Sequence, residues 1–298
     1  MKVLVVGGTG LLGAHAALYA KEQGCDVSIA SRKPTQVPLL KTLPFVQMDY
    51  TNAALNGDLL KGFDALLFCA GNDIRHVDAS QGQAGLAAQW HANNSIAIPR
   101  FFAKAKAAGI KKAVMLGSFY PQMAPELINS NPYVRSRHES CVGVRALNDA
   151  SFNVVSINAP FMVGHVPGLS VPMFDAYVSY ARGQIEAIPA YGPKGGTNFM
   201  SVQSLSEAMY QALLHGEPGK AYLVGDENLT FAQYFQMFFE AVGNATTVPE
   251  VDQEHPMMPD AAIYTGRGNY ARYEADDSLG YRRGDVRNAI NALVAAMA

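Results

Sequence analysis

The sequence contains few residues of the types that build metal sites or disulfide frameworks. Only three cysteines occur, far apart in the chain, and no C-x-x-C or His/Cys cluster has the spacing of a metal site. We therefore expect reduced thiols, no metal ion and a cytoplasmic protein. The apolar run ALLFCA around Cys69 favours a small buried hydrophobe at that position.

Charge and long apolar runs are also scarce. Charged residues make up 16% of the chain, the net charge is -2, and no block of like charges occurs. Such a chain has no electrostatic reason to bind nucleic acid or an anionic membrane. No apolar run approaches the roughly 20 residues that span a bilayer, and the start MKVLVVGG is too short for a signal-peptide core. We expect a small-molecule substrate as the partner, and the sequence is also compatible with a homodimer.

The first half alternates short apolar runs with helical patterns, which is typical of βαβ units. The runs predict strands at 2–6, 27–31, 45–49, 65–70, 112–117 and 152–158. The helical patterns predict helices at 11–23, 84–108 and 131–147. Because the runs are apolar on both faces, the strands belong in a covered parallel sheet. The predicted fold class is α/β, a Rossmann doubly wound sheet.

After residue 160 the chain becomes richer in glycine, proline and aromatic residues. Short elements are predicted at 185–189 and 198–202, and helices at 204–215 and 230–242. We therefore predict a dinucleotide-binding domain over 1–160 and a smaller substrate-binding lobe over 161–298, with some chain crossing back. The aromatic residues between 231 and 239 have helical spacing, which favours core packing over ligand stacking.

A glycine-rich turn lies between the first strand and the first helix, in Val5-Val6-Gly7-Gly8-Thr9-Gly10-Leu11-Leu12-Gly13. The first of its three spaced glycines permits a tight turn, the second lets backbone approach a pyrophosphate, and the third allows close helix packing. The helix N-terminus then offers N–H groups and a positive dipole to phosphates. The predicted cofactor contacts here are Gly7, Thr9, Gly10, Leu11, Leu12 and Gly13.

The end of the second strand predicts which cofactor binds. An NAD enzyme carries an acidic residue there for the ribose hydroxyls, whereas this chain has Ser31, Arg32 and Lys33. A guanidinium suits a 2′-phosphate, so NADP (NADPH) is predicted, the alternative being a basic surface loop. Asp49, followed by Tyr50, ends the third strand and would either accept from the adenine amino group or cap the following helix.

With these motifs the chain resembles the extended or atypical short-chain dehydrogenase/reductases, the NAD(P)-dependent epimerase/dehydratase group. The likeness includes Asp49, the strand end Cys69-Ala70-Gly71, Asn94 in the middle helix and Pro160-Phe161-Met162 beside the expected nicotinamide. It continues through 198–202 and 222–231. The resemblance implies that these residues contact the cofactor.

The family's chemistry uses a Ser or Thr, a Tyr and a Lys, with the last two spaced as Y-x-x-x-K on one helix face. The matching residues are Ser118, Tyr133 and Arg137, so arginine replaces the lysine. By resemblance, Tyr133 is the acid or base, Ser118 holds the same substrate oxygen, and Arg137 holds the ribose. Arginine would do this with a wider, planar head group, or the site has lost its chemistry. An ordinary, partly exposed helix pair is the remaining alternative.

Residues expected at the mouth of the sheet indicate an apolar substrate. The predicted substrate contacts are Asn72, Phe119, Tyr120, Phe161, Met162, His165 and Met173, with His76 and His138 as weaker polar candidates.

The predicted function is NADP-dependent reduction of a ketone or aldehyde, or oxidation of a secondary alcohol, on a fairly hydrophobic small molecule. The resemblance is to the dihydroflavonol-reductase and hydroxysteroid-dehydrogenase branch. A nucleotide-sugar epimerase or dehydratase is one alternative, although no basic set for a substrate diphosphate is evident. A non-catalytic NADP sensor of the NmrA type is the other, which Arg137 favours and the retained Ser118 and Tyr133 disfavour.

Overall fold

Strands and helices alternate along the first half of the computed structural model, which describes residues 1–73 and 79–297. The strands are β1 (Lys2–Val6), β2 (Asp26–Ser31), β3 (Phe45–Gln47), β4 (Ala65–Phe68), β5 (Lys112–Ser118), β6 (Asn153–Ala159), β7 (Phe161–Val163), β8 (Gly192–Pro193), β9 (Gly196–Ser201), β10 (Ala221–Leu223), β11 (Glu227–Thr230), β12 (Glu250–Val251) and β13 (Tyr270–Ala271). The α-helices are α1 (Leu11–Glu22), α2 (Pro38–Lys41), α3 (Gly82–Trp90), α4 (Ala97–Ala107), α5 (Tyr120–Met123), α6 (Leu127–Ser130), α7 (Pro132–Arg145), α8 (Pro172–Ala181), α9 (Val202–His215), α10 (Phe231–Ala241) and α11 (Val286–Ala295).

The central sheet has seven parallel strands in the order β10-β6-β5-β4-β1-β2-β3. The strand order changes direction between β1 and β4, which is the place where ligands bind in doubly wound sheets. This sheet confirms the predicted Rossmann fold, and each predicted strand of the first half is present with ends that differ by two residues at most.

Alternate residues of the central strands enter two different cores. Val3 and Val5 of β1 face a core that includes residues of α1 and α9, whereas Leu4 and Val6 face one that includes α4 and α7. Both faces of the sheet are therefore covered, as the continuous apolar runs predicted.

The helix predicted over 84–108 is interrupted. It is present as α3 and α4, separated by a π-helical segment over His91–Ile96. One extra residue per turn rotates the following side chains, and such segments are frequent at functional sites. The periodicity of apolar residues in the sequence does not reveal the π-helical segment, because α-helix continues on both sides of it.

The second half of the chain contributes to both the first sheet and a second one. β9 pairs antiparallel with β11 and parallel with β7 and β13. Between these strands, α9 packs against α1, and β10 pairs with β6 of the central sheet. The element predicted at 185–189 is wrong, because these residues form turns and the short strand β8 follows them. The division at residue 160 stays a prediction.

The aromatic residues of α10 lie in the core, as their spacing predicted. Phe231, Tyr234, Phe235, Phe238 and Phe239 are all buried against α8, α11 and the segment around Met258. The helix begins at a capping box, in which Thr230 accepts from the Gln233 N–H and Gln233 accepts from the Thr230 N–H.

Candidate active site

The glycine turn joins β1 to α1 and leaves the helix N-terminus open. Gly7 has a φ of +82°, and a Cβ there would lie 2.8 Å from the Ala70 nitrogen. A Cβ at Gly13 would lie 2.3 Å from the Gly7 carbonyl oxygen, so both glycines are needed for the turn itself. A Cβ at Gly10 would meet only the Gly7 oxygen, at 3.6 Å. Gly10 therefore borders free space at the start of α1, where no side chain caps the N–H groups.

Three other residues of the turn, Thr9, Leu11 and Leu12, are all half-buried. The side chains of Leu11 and Leu12 pack against the core beneath α1. Any contact that these residues make with a phosphate would therefore come from their backbone N–H groups rather than from their side chains.

Two cations, Arg32 and Lys33, directly follow the end of β2. Ser31 Oγ donates to the Lys33 carbonyl oxygen at 2.5 Å, and Gln47 Nε2 donates to the Arg32 carbonyl oxygen at 3.1 Å. Arg32 and Lys33 are exposed, and within the described residues neither forms an ion pair with a carboxylate. Their charges are therefore available to an anionic ligand.

Asp49 stabilises a turn rather than a helix. Its Oδ1 accepts from the Thr51 N–H at 2.9 Å and from Thr51 Oγ1 at 2.7 Å. The next helical element is a 3₁₀ turn that Asn56 caps, so the expectation that Asp49 caps the following helix is wrong. Tyr50 lies beside it, donating to Asn72 Oδ1 at 3.4 Å, and burial raises the pKa of Tyr50 to about 12 although Arg137 nearby opposes the shift.

Asn94 holds the chain that follows β4. It is fully buried, its Oδ1 accepts from the Asn72 N–H at 3.0 Å, and its Nδ2 donates to the Asn72 carbonyl oxygen at 2.9 Å. The same Nδ2 lies 3.1 Å from Ser136 Oγ on α7. The π-helical segment thus ties Asn72, in the segment that follows β4, to the helix that carries Tyr133 and Arg137. The Cys69 Sγ lies 3.8 Å from Met209 Sδ, and burial raises the pKa of its thiol to about 12.

Ser118 and Tyr133 lie on neighbouring elements. Ser118 is the last residue of β5, is 7% exposed and pairs in register with Ala159 of β6. Tyr133 follows Pro132 at the start of α7, whose N-cap Asn131 accepts from the Val134 N–H. The tyrosine is half-buried and has contacts on both sides: Trp90 lies edge-on at 5.5 Å and Tyr264 stacks at 4.9 Å between ring centroids.

Arg137 lies one helical turn after Tyr133, and its side chain points into the protein interior rather than into solvent. It is 6% exposed, and its Nη2 donates to the Leu116 carbonyl oxygen of β5 at 2.7 Å. Its Nε is buried without a hydrogen-bond partner, and no carboxylate among the described residues pairs with it. The alternative of an ordinary, partly exposed helix pair holds for the exposure of Tyr133 but not for Arg137, which is buried, and the catalytic role of the two residues stays a prediction.

The predicted substrate residues divide into two groups. Phe119, Tyr120 and Phe161 cluster beside Tyr133, with Phe119 4.2 Å from Tyr120 and 6.2 Å from Phe161. The other predicted substrate contacts lie elsewhere: Met162 packs against the core that α1 and α9 share, His165 lies near His15, and Met173 packs against the α10 core. Pro160, which was predicted as a cofactor contact, is buried between β6 and β7. His76 falls outside the described residues.

Two tyrosines of the C-terminal segment complete the cluster, and sequence reasoning missed both. Tyr264 stacks on Tyr133, and its backbone N–H donates to the Tyr120 Oη at 3.3 Å. Tyr273 lies 6.0 Å from Phe119 and donates to the Val224 carbonyl oxygen. No local pattern marks them, because only tertiary folding brings residues 264–273 to α5 and α7.

A cavity of about 310 Å³ lies between this segment and the helices before Tyr133. It is lined by Met123, Ala124, Glu126, Leu127, Thr265, Asn269, Tyr270 and Ala271, so the Glu126 carboxylate is the one charged group that the described residues contribute to its lining. Along residues 1–73 and 79–297, no three His, Cys, Asp or Glu side chains group as metal ligands would. No helix in the described part of the chain is long and apolar enough to cross a bilayer.

Several solved structures share the whole fold. The chain matches the UDP-glucose 4-epimerase from Thermotoga maritima, solved with UDP-glucose, with a TM-score of 0.73, 13% identity and coverage of 100% of this chain and 98% of that one. It matches the Bordetella bronchiseptica enzyme WbmF in complex with NAD⁺ (TM-score 0.72, 17% identity, 99% and 92% covered). It also matches the dTDP-glucose 4,6-dehydratase from Streptomyces venezuelae, solved with NAD, with a TM-score of 0.69, 19% identity and coverage of 99% of this chain and 96% of that one.

None of the curated proteins compared with the chain matches it. The model of the NAD dependent epimerase/dehydratase family, in contrast, matches residues 3–225, which include the glycine turn, Ser118, Tyr133 and Arg137. These residues make up most of the 298-residue chain, and the protein therefore belongs to the NAD dependent epimerase/dehydratase family, whose enzymes use a nicotinamide nucleotide.

Proposed function

We propose that the protein is an NADP-dependent oxidoreductase that interconverts a carbonyl group and a secondary alcohol on a small hydrophobic molecule. The observation that carries this proposal is the helix α7, which holds Tyr133 half-buried among aromatic rings and places the unpaired Arg137 cation one turn later. Ser118 ends the adjacent part of the sheet. A hydroxyl donor and a buried positive charge suit proton transfer beside a ribose.

The residues present fit a dinucleotide. Gly10 leaves space for a pyrophosphate at the N-terminus of α1, and the orphaned Nε of Arg137 has a hydrogen available for a ribose hydroxyl. Arg32 and Lys33 support the phosphorylated form, since both are exposed cations at the end of β2, where NAD enzymes carry a carboxylate.

Each polar side chain then has a defined task in the reductive direction. Bound NADPH would supply the hydride for the carbonyl carbon. Tyr133 gives its hydroxyl proton to the carbonyl oxygen, which Ser118 orients by a hydrogen bond. Arg137 binds the ribose and keeps a positive charge near the tyrosinate that forms, which lowers the cost of that anion.

The aromatic surroundings support an apolar substrate. Tyr133 stacks on Tyr264 and belongs to an apolar cluster that includes Phe119 and Phe161, and the neighbouring cavity is lined by one carboxylate and no cation among the described residues. A nucleoside diphosphate would need cations to balance its charge, and this lining supplies none.

A nucleotide-sugar epimerase or dehydratase is the second candidate. It is favoured by the family of the chain and by the UDP-glucose and dTDP-glucose enzymes that share its fold. In such a reaction Tyr133 would also move a proton, so the two candidates differ in the substrate rather than in the site.

One experiment separates the candidates. The purified protein is mixed with NADPH and a panel of aliphatic, aromatic and steroid-like ketones, and the absorbance of the reduced nicotinamide is followed. In parallel, UDP-glucose is titrated by calorimetry. We expect ketone-dependent oxidation of NADPH and no heat from UDP-glucose. Binding of UDP-glucose without ketone turnover would support the epimerase, and NADPH binding without any turnover would support a sensor.

A further inference from the structure

Arg137 is held on one side by β5 and on the other by the chain that leaves β4. Its Nη2 is bonded to the Leu116 carbonyl oxygen. Its Nη1 lies against Gly71, because a Cβ built at Gly71 would come within 2.5 Å of that atom. The wide, planar guanidinium thus fills the place where any other residue at position 71 would carry its side chain.

Gly71 differs in this respect from the glycines of the phosphate turn. Side chains at Gly7 and Gly13 would collide with backbone atoms, which cannot move without opening the turn. A side chain at Gly71 would collide with the far end of Arg137, which can move by changing its rotamer. We therefore expect alanine at position 71 to displace the guanidinium from its bond to Leu116 without moving the backbone around position 71.

We propose that Gly71 is a positioning residue, whose missing side chain allows arginine to occupy the position where the family pattern has lysine. Lysine ends in a single compact ammonium and needs less width, so glycine at 71 is required by arginine and not by lysine. The role of Arg137 in binding the ribose rests on the proposed function, but the dependence of Arg137 on Gly71 does not. Gly71 acts through Arg137 and needs no contact of its own with the cofactor.

A cycle of four proteins tests this proposal: wild type, Gly71→Ala, Arg137→Lys and Gly71→Ala/Arg137→Lys. Urea unfolding without cofactor and NADPH affinity by fluorescence titration are measured for each. We expect Gly71→Ala to lower the unfolding midpoint and to raise the NADPH Kd about tenfold or more beside arginine, as loss of a charged hydrogen bond would. In the Arg137→Lys background the same change should have little effect on either quantity. Gly57→Ala is the control, since nothing lies within 4 Å of a Cβ there.

The possible results decide the matter in each case. Equal effects of Gly71→Ala beside arginine and beside lysine would overturn the proposal, since glycine would then be needed for the backbone or for direct cofactor contact. If Gly71→Ala does not fold, folding of the double variant supports the proposal, and failure of both overturns it. If the wild-type protein binds no NADPH, the proposed function is contradicted. The unfolding midpoints of the four proteins would still show whether Gly71 makes room for Arg137.

Discussion

Two arginines carry most of the chemistry proposed at the scale of single residues, and they do so from opposite environments. Arg32 is exposed at the end of β2, where water weakens its interactions with an anion. Arg137 is buried between two strand ends, and its charge has no carboxylate partner in the described ranges. We therefore expect Arg32 to select the cofactor and Arg137 to act on both binding and chemistry.

Replacing Arg32 by alanine tests the selection of the cofactor. NADPH should bind more tightly than NADH to the wild type, and Arg32→Ala should raise the NADPH Kd by about 10–100-fold with little change for NADH. Fluorescence titration of both cofactors measures the gap. Arg283→Ala, at an exposed arginine of the C-terminal segment, is the matched control. Equal affinities of the wild type for the two cofactors would disprove the assignment.

Replacing Tyr133 by phenylalanine tests the proton carrier. The ring keeps its stacking on Tyr264 but loses the hydroxyl, so turnover should fall by about 10²–10⁴-fold while the NADPH Kd hardly changes. Steady-state kinetics on the best ketone of the panel give the comparison, with Tyr19→Phe on α1 as the control. Turnover that survives in Tyr133→Phe would mean that another group donates the proton.

At the scale of elements, we expect the turn between β1 and α1 to determine whether a phosphate can reach the helix. Gly10→Val adds a branched side chain in the free space beside Gly10, so the fold should survive while NADPH binding falls by more than about 100-fold. Gly13→Val instead drives a side chain into the Gly7 carbonyl and should destabilise the protein itself. Thermal unfolding together with cofactor titration separates the two effects. Unchanged NADPH affinity in a folded Gly10→Val variant would place the dinucleotide elsewhere.

The elements themselves were largely predictable, and the exceptions share one cause. Apolar runs and the glycine turn are local signals, so β1 and the start of α1 agree with their predicted bounds. The π-helical segment at His91–Ile96 left no such signal, because it depends on Asn94 meeting the backbone of Asn72 across the fold. The element predicted at 185–189 is absent because a short apolar run without strand partners remains a turn.

At the scale of the whole molecule, a buried acidic network connects the two sheets. Asp226 Oδ2 accepts from the Ser201 N–H at 3.0 Å and from Ser204 Oγ at 2.9 Å, while Ser201 Oγ donates to Asp285 Oδ2 at 2.8 Å. The network joins β9 and α9 to the loop after β10 and to the start of α11. Burial raises the pKa of Asp226 to about 6, and the negative charge of Asp285 acts in the same direction.

This raised pKa predicts a pH-dependent stability. The folded protein binds the Asp226 proton more tightly than the unfolded chain, so the contribution is complete below about pH 4 and is lost as the pH rises through about 6. The shift corresponds to about 3 kcal/mol of unfolding free energy. Asp226→Asn removes this titration, so the difference in unfolding free energy between variant and wild type should change by about 2 kcal/mol from pH 4 to pH 7. Urea unfolding across this range measures it, and parallel curves for the two proteins would contradict it.

The sequence by itself determined the α/β class, the parallel sheet, the glycine turn between β1 and α1, and the elements that carry Ser118, Tyr133 and Arg137. These features follow from residues that are close together in the sequence, and their periodicity and spacing can be recognised without knowing the rest of the fold. The tertiary structure alone decided what surrounds them. Gly71 meets Arg137, and Tyr264 meets Tyr133, because close packing brings together segments far apart in sequence, and no local pattern records such a contact.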